Sequence, residues 1–117
     1  MTRQEAINMV YEHFIIRKQP AGWTAVQGCD YLSPNGNRCA VGVLMGDDAK
    51  PLNGDASDVF HALSPDLRAL GCSFLLDLQA AHDDSAGLAR DNEKKFRELF
   101  LEKLEDVLEK YDLEMPF

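Results

Sequence analysis

The 117-residue chain has no hydrophobic run near the roughly 20 residues of a membrane-spanning helix, and no apolar segment follows its first residues. It contains only three cysteines, and none of them forms the Cys-x-x-Cys pair that many zinc sites use. Internal repeats, low-complexity tracts and linkers are also absent. These absences predict one cytoplasmic domain over residues 1–117, with reduced thiols, no metal site, no membrane association and no cofactor.

Basic residues are scarce as well. Lys and Arg number 12 against 20 Asp and Glu, and the formal net charge is −8. The densest basic pairs, Arg17-Lys18 and Lys94-Lys95, both fall within patterns of helical spacing. A surface of this charge repels a phosphate backbone, so we expect no direct nucleic-acid binding. The expected partner is a basic protein or an unidentified small molecule, homo-oligomers remain open, and solubility alone also accounts for the charge.

Most of the chain has helical patterns. Thr2 and Glu5 have the spacing of a capping box at the start of an amphipathic helix. Ser64-Pro65 is an N-cap followed by proline at the first helical position, and Ser73 is a candidate cap for the next helix, which we expect to end near residue 83. The longest helix comes last. Its apolar stripe consists of Phe96, Leu99, Phe100, Leu104, Val107, Leu108 and Tyr111.

The segment from Cys29 to Asp48 concentrates the most potential chemistry. Asn35-Gly36 is typical of a hairpin turn, because both residues accept positive φ. The apolar run from Ala40 to Met45 fits either a strand or one short helix. We therefore predict an α+β fold, in which a mostly helical domain carries one small β-hairpin packed on its helices.

The turn type would decide whether the two thiols of this hairpin share a face. A two-residue turn pairs Leu32 with Cys39, and the Cys39 thiol then points away from Cys29. A three-residue loop reverses this and places Tyr31 opposite Cys39. Both cysteines also fit the role of small buried apolar groups. If a helix starts at Ala40, the Cys39 thiol lies near a helix N-terminus that stabilises thiolate, but a nucleophile also needs a base within reach.

A second polar group lies on one predicted helix. Gln79 and Asp83 are four residues apart and can meet on one face, with His82 on or beside the buried stripe. The order His61, His82-Asp83 and Asp106 resembles that of the HD phosphohydrolases. A small metal-dependent hydrolase using His61, His82 and Asp83 is therefore an alternative function. The structural interpretation is a histidine hydrogen-bonded at the edge of the core.

Two motifs together resemble a group of small uncharacterised bacterial, phage and prophage proteins. The first motif is Cys29-x-Tyr31, Asn35-Gly36-x-x-Cys39-Ala40-Val41-Gly42-x-Leu44 and Asp47-Asp48, and the second is Leu78-Gln79-x-x-His82-Asp83. The resemblance spans roughly residues 28–84 and implies that both motifs belong to one shared feature, without implying an activity. This chain departs from the pattern after Asp83, where an aromatic residue often follows.

These observations favour a small acidic binding or accessory protein, in a phage-associated context, over an enzyme. The expected site is the corner where the hairpin meets the second motif, because buried polar groups must pair with one another or offer their capacity to a ligand. A purely structural role for the motifs is the remaining alternative. The candidate ligand-binding residues are Cys29, Tyr31, Cys39, Gln79, His82 and Asp83.

Overall fold

The computed structural model describes residues 1–24, 28–29, 37–46, 60, 63–90 and 92–116. The helices are α1 (Arg3–Tyr11), which continues as a π-helical turn over Glu12–Ile16, α2 (Ala40–Met45), α3 (Pro65–Arg68), α4 (Cys72–Ala89) and α5 (Glu93–Lys110). Strands β1 (Trp23–Thr24) and β2 (Gly28–Cys29) pair in antiparallel fashion. Among the described residues, no helix combines the length and the apolar character needed to cross a lipid bilayer.

Helix α1 begins with the predicted capping box. The Thr2 hydroxyl accepts from the Glu5 backbone N–H at 3.1 Å, and the Glu5 carboxylate accepts from the Thr2 N–H at 2.8 Å. The backbone N–H of Thr2 thereby stabilises the charged carboxylate and lowers the pKa of Glu5. The π-helical turn closes with the Arg17 N–H on the Glu12 carbonyl, and Lys18, with a φ of +54°, follows it. The helical structure that begins at Arg3 therefore ends at Ile16.

The predicted α+β class with a hairpin is wrong, because helices form nearly all of the regular structure that the described residues contain. Cys39 and Ala40, which the hairpin needed as strand residues, are the N-cap and the first residue of α2. Strand β2 pairs with β1 over two residues and not with the chain around Cys39. The proposed turn at Asn35-Gly36 and the neighbouring Tyr31 lie outside the described residues.

Burial explains why the run after Cys39 is a helix. Residues 40–44 are all buried, and α2 packs against both α1 and α4. This run is apolar at every position, so its pattern does not distinguish a strand from a helix, and the packing decides. The helical alternative for Ala40 to Met45 is the one that forms.

The core lies mainly between α4 and α5, which form the most extensive helix pair. The predicted stripe of the last helix is confirmed: five of its members are buried, and Leu99 and Tyr111 pack half-buried at its margin. Phe14 joins this stripe from the π-helical turn, with its ring centroid 5.6 Å from that of Phe96 and 5.3 Å from that of Phe100.

The starts of α3 and α4 differ in how well the sequence predicts them. The Ser64 hydroxyl accepts from the Leu67 N–H at 3.4 Å and Pro65 is the first helical residue, as predicted. The predicted cap Ser73 is wrong, since α4 already begins at residue 72, directly after Gly71 with its φ of +97°. Helix α4 also continues past residue 83 to residue 89, because small side chains of its last two turns are buried in the core.

Candidate functional site

A buried hydrogen-bond network joins Gln79, His82 and Asp83. Asp83 Oδ1 accepts from Gln79 Nε2 at 2.9 Å and lies 2.7 Å from His82 Nδ1. The predicted meeting of Gln79 and Asp83 across one helical turn is confirmed. Gln79 is 2% exposed and His82 is 0% exposed, whereas the Asp83 side chain keeps 27% of its surface in solvent. The network is therefore closed to solvent except at the edge of one carboxylate.

Gln79 also caps a different helix. Its Oε1 accepts from the backbone N–H of Val41 at 3.0 Å, while the N-cap residue Cys39 makes no capping bond with its side chain. A helix leaves its first N–H groups without internal partners, and α4 here satisfies one of them for α2. Arg38 Nη1 donates to the Gly42 carbonyl at 3.2 Å. Side chains from outside thus hold this short helix in place at both ends.

Aromatic side chains enclose the His82 ring. Its centroid lies 5.3 Å from Phe14, 5.5 Å from Phe96 and 6.5 Å from Phe100. Nδ1 faces Asp83, so Nε2 is the ring nitrogen on the side away from the carboxylate. Nε2 is buried, and it has no hydrogen-bond partner within the described part of the chain. His82 is therefore held as part of the core and not as a group that meets a substrate from solvent.

The other predicted site residues fall in two groups. Cys39 is a fully buried free thiol beside Val41, and β2, which contains Cys29, lies against α4. The two motifs that the sequence joins are therefore neighbours in space. Tyr31 and His61 lie outside the described residues, so the structure does not locate them.

A cleft of about 200 Å³ opens beside the network, between the segment that follows α1 and the corner where α4 meets α5. Two of its residues belong to the surroundings of His82. Ala86 is one helical turn after His82 on α4, and the Phe96 ring contacts the His82 ring. The remaining lining residues are Gln19, Pro20, Ala21, Asn37, Arg90, Glu93 and Arg97.

The sequence reasoning missed Arg90 and Arg97 of this cleft. Neither side chain forms a hydrogen bond or an ion pair with any described residue. The available signal was local charge: residues 90–97 contain four basic side chains against two acidic ones, in a chain of net charge −8. In the sequence alone, Lys94-Lys95 in the same stretch fits an ordinary helical pattern. The cleft thus joins two uncommitted guanidinium groups to an apolar floor.

A second polar cluster lies nearer the start of α4, around Asp77. Asp77 Oδ2 accepts from Lys110 Nζ at 2.8 Å and from the Tyr111 hydroxyl at 2.6 Å. Burial alone would raise the pKa of Asp77, but the hydrogen bonds from Lys110 and Tyr111 outweigh it and lower that pKa. Burial and the bond to Asp77 raise the pKa of Tyr111. The Arg3 guanidinium lies 4.9 Å from the centroid of the Tyr111 ring, so the cluster joins the two ends of the chain.

Comparisons of this chain with protein-family models, curated proteins and solved structures find no match. The resemblance to small bacterial and phage proteins therefore stays a prediction. In the described part of the chain, no group of three or more His, Cys, Asp or Glu side chains is placed to hold a metal ion.

Proposed function

We propose that this chain is a small acidic binding protein without catalytic activity, which holds a small molecule in the cleft beside the His82 network. The observation that carries the proposal is the cleft itself, an open space of about 200 Å³ whose floor includes Ala86 and Phe96. Concave sites with an apolar floor and a few polar groups are the usual place for small ligands.

The state of the buried network supports a non-catalytic role. A general base must come within about 3 Å of the proton that it removes, directly or through one water. His82 is 0% exposed, and its Nδ1 is already paired with Asp83. Gln79 uses both ends of its amide inside the protein. These residues serve to position α2 and the wall of the cleft.

The alternative function, a metal-dependent hydrolase using His61, His82 and Asp83, receives no support from the described residues. Such a site needs several ligands around an open coordination position. His82 has no open approach, and Asp106 lies exposed on α5. The motif resemblance supplies the context of the proposal, a cytoplasmic accessory protein associated with a phage or prophage.

Two experiments test the proposed function. Native mass spectrometry of the purified protein detects a co-purifying small molecule or metal, and a fragment screen followed by amide chemical shifts locates binding. We expect the shifts at Ala86 and Phe96. Ala21→Leu narrows the cleft and should weaken fragment binding, whereas Ala69→Leu, an exposed control at the end of α3, should not.

Two results would contradict the proposed function. One is a screen in which no fragment shifts the cleft residues, or in which Ala21→Leu and Ala69→Leu bind equally well. The other is metal-dependent phosphoester hydrolysis that is lost in His82→Gln while the fold survives. That second result would restore the hydrolase alternative.

A further inference from the structure

We infer that the cleft recognises the phosphate group of a small phosphorylated molecule, through the guanidinium groups of Arg90 and Arg97. The inference rests on the proposed function and names the ligand chemistry of the same cleft. The guanidinium group of arginine is planar, and its N–H donors match the spacing of phosphate oxygens. Such charge-assisted hydrogen bonds are stronger than bonds between neutral groups.

The charge inside the cleft contrasts with the charge of the chain. Two arginines line the cleft, and among its described lining residues Glu93 is the one carboxylate. Neither guanidinium is paired with a described residue, although acidic side chains outnumber basic ones by 20 to 12 in the chain. A concave positive site within a negative surface favours a small anion and disfavours a long polyanion such as nucleic acid.

Helix α5 lies with its N-terminal end beside the cleft. It has 18 residues, and its first five include three that line the cleft, Glu93, Phe96 and Arg97. The N-terminus of a long helix carries a partial positive charge that attracts anions. The Asn92 side chain caps the Lys95 N–H at 3.0 Å. The positive end of α5 therefore lies at the same corner of the fold as the two arginines.

The backbone of Arg90, at the end of α4, has an unusual conformation. Its φ is +55° and its ψ is −121°, a conformation that favours glycine over any residue with a side chain. Residues held in such conformations cluster at functional sites. An arginine kept at a position suited to glycine places its guanidinium at the rim of the cleft. Removing the side chain should therefore relax the backbone and remove a ligand contact at once.

The dimensions of the cleft limit the ligand. A volume of about 200 Å³ is below the roughly 300–1,000 Å³ of pockets for drug-sized ligands. A phosphate group with a short organic portion fits this size. Pro20 and Phe96 offer apolar contact to that organic portion. Free phosphate and a phosphate monoester both carry the phosphate group that the arginines would bind. Only the ester also has an organic portion that can make this apolar contact.

Calorimetric titration of the full chain with inorganic phosphate and with glycerol phosphate, at constant ionic strength, tests the inference. We expect saturable binding in the millimolar range or tighter. Arg97→Gln and Arg90→Gly should each weaken it about tenfold, since each removes a charge-assisted contact. Arg68→Gln, with the same charge change at an exposed position of α3, is the control and should bind like the wild type. Tighter binding of the ester identifies it as the preferred source of the phosphate.

Thermal denaturation of the same variants separates ligand contact from folding. Arg90→Gly should keep or raise the melting temperature while it loses phosphate affinity, an outcome that a damaged fold would not give. Equal phosphate affinity in Arg90→Gly, Arg97→Gln and Arg68→Gln would overturn the inference. If phosphate does not bind but uncharged fragments still shift Ala86 and Phe96, this inference fails alone. If nothing shifts those residues, the proposed function fails with it.

Discussion

The two polar clusters of α4 are both built around a carboxylate, but their surroundings are opposite. Asp77 is half-buried and pairs with a lysine whose side chain is 62% exposed. Asp83 pairs with Gln79 and His82, which are enclosed in the core. Ion pairs in water contribute little to stability, because solvent and salt screen the attraction. Hydrogen bonds inside a buried network matter more, because each lost partner leaves a polar atom that water cannot reach.

This difference assigns the clusters different roles. The Asp77 cluster brings together α5, α4 and the start of α1, so it fastens the chain ends. The Gln79–Asp83 network fixes α2 through Val41 and adjoins the cleft through Phe96. Substitutions at the second cluster should therefore have larger effects on folding than substitutions at the first.

The largest effect is expected from Phe14→Ala. Phe14 is fully buried, and its ring contacts His82, Phe96 and Phe100. Truncating a buried phenylalanine typically costs about 3–5 kcal/mol of the free energy of unfolding, through lost burial and the cavity left behind. Denaturant unfolding measures this, with the exposed Ile16→Ala as a control expected to change little. A loss below about 1 kcal/mol for Phe14→Ala would show that these rings do not form the core.

The next largest effect is expected from Gln79→Ala. It leaves the Val41 N–H and one side of Asp83 without their partner, and a buried unpaired group costs about 1–3 kcal/mol. The matched control is Gln4→Ala, which removes exposed hydrogen bonds to the backbone of Glu114 and should cost less than about 1 kcal/mol. Faster hydrogen exchange at the Val41 amide should accompany the loss. Equal losses for the two variants would show that burial does not make the hydrogen bonds of Gln79 more important than exposed ones.

Acid should reduce stability through His13 and through Asp77 in different pH windows. Burial first, and then the positive charges of Arg38 and Arg17, lower the pKa of His13, which packs on Phe14. Its contribution to stability is present above the ordinary pKa of 6.5 and is lost as pH falls through the lowered one. The pKa of Asp77 is also lowered, so its contribution is lost only as pH falls below the ordinary 3.8.

The free energy of unfolding, measured against pH, should therefore fall in two steps. The step below pH 6.5 should be absent in His13→Gln, and the step below pH 3.8 should be absent in Asp77→Asn. Protonation of Asp77 weakens its bonds to both Lys110 and Tyr111. The free energy of unfolding lost in the more acidic step should therefore exceed the loss caused by removing either partner alone. A variant His13→Gln with an unchanged first loss would place that acid sensitivity elsewhere in the chain.

The smallest effect is expected from Tyr111→Phe. It removes one hydrogen bond to Asp77 and keeps the ring against Phe74, with centroids 5.2 Å apart. The cost should be no more than about 1 kcal/mol. Added salt should narrow the difference from the wild type only slightly, because the lost group is neutral. A loss above about 2 kcal/mol would make the Asp77 cluster as important as the buried network.

Local signals in the sequence predict much of the helical structure. Thr2 with Glu5, and Ser64 before Pro65, mark helix starts through bonds within four residues, so no tertiary information is needed. The fold class was wrong because α2 depends on tertiary contacts. Its N-terminal cap comes from Gln79, 38 residues after Val41, and no local pattern reveals such a partner.

The sequence predicts one part of the candidate site, the Gln79–Asp83 contact, but not the cleft. The contact between Gln79 and Asp83 follows from their spacing on one helix. The cleft draws its walls from segments around residues 20, 37, 90 and 96, and each of its arginines is an ordinary surface residue when read in sequence alone. Only the folded chain brings these segments together, so periodicity and motif spacing do not indicate the cleft.

Amide chemical shifts of isotopically labelled protein, titrated with inorganic phosphate at constant ionic strength, separate the cleft from the buried network most directly. Binding in the cleft should give saturable shifts at Arg90, Phe96 and Arg97, while the Val41 amide, held by Gln79, stays unchanged. Shifts concentrated at Val41 and Asp83, with the three cleft residues silent, would contradict the assignment of binding to the cleft.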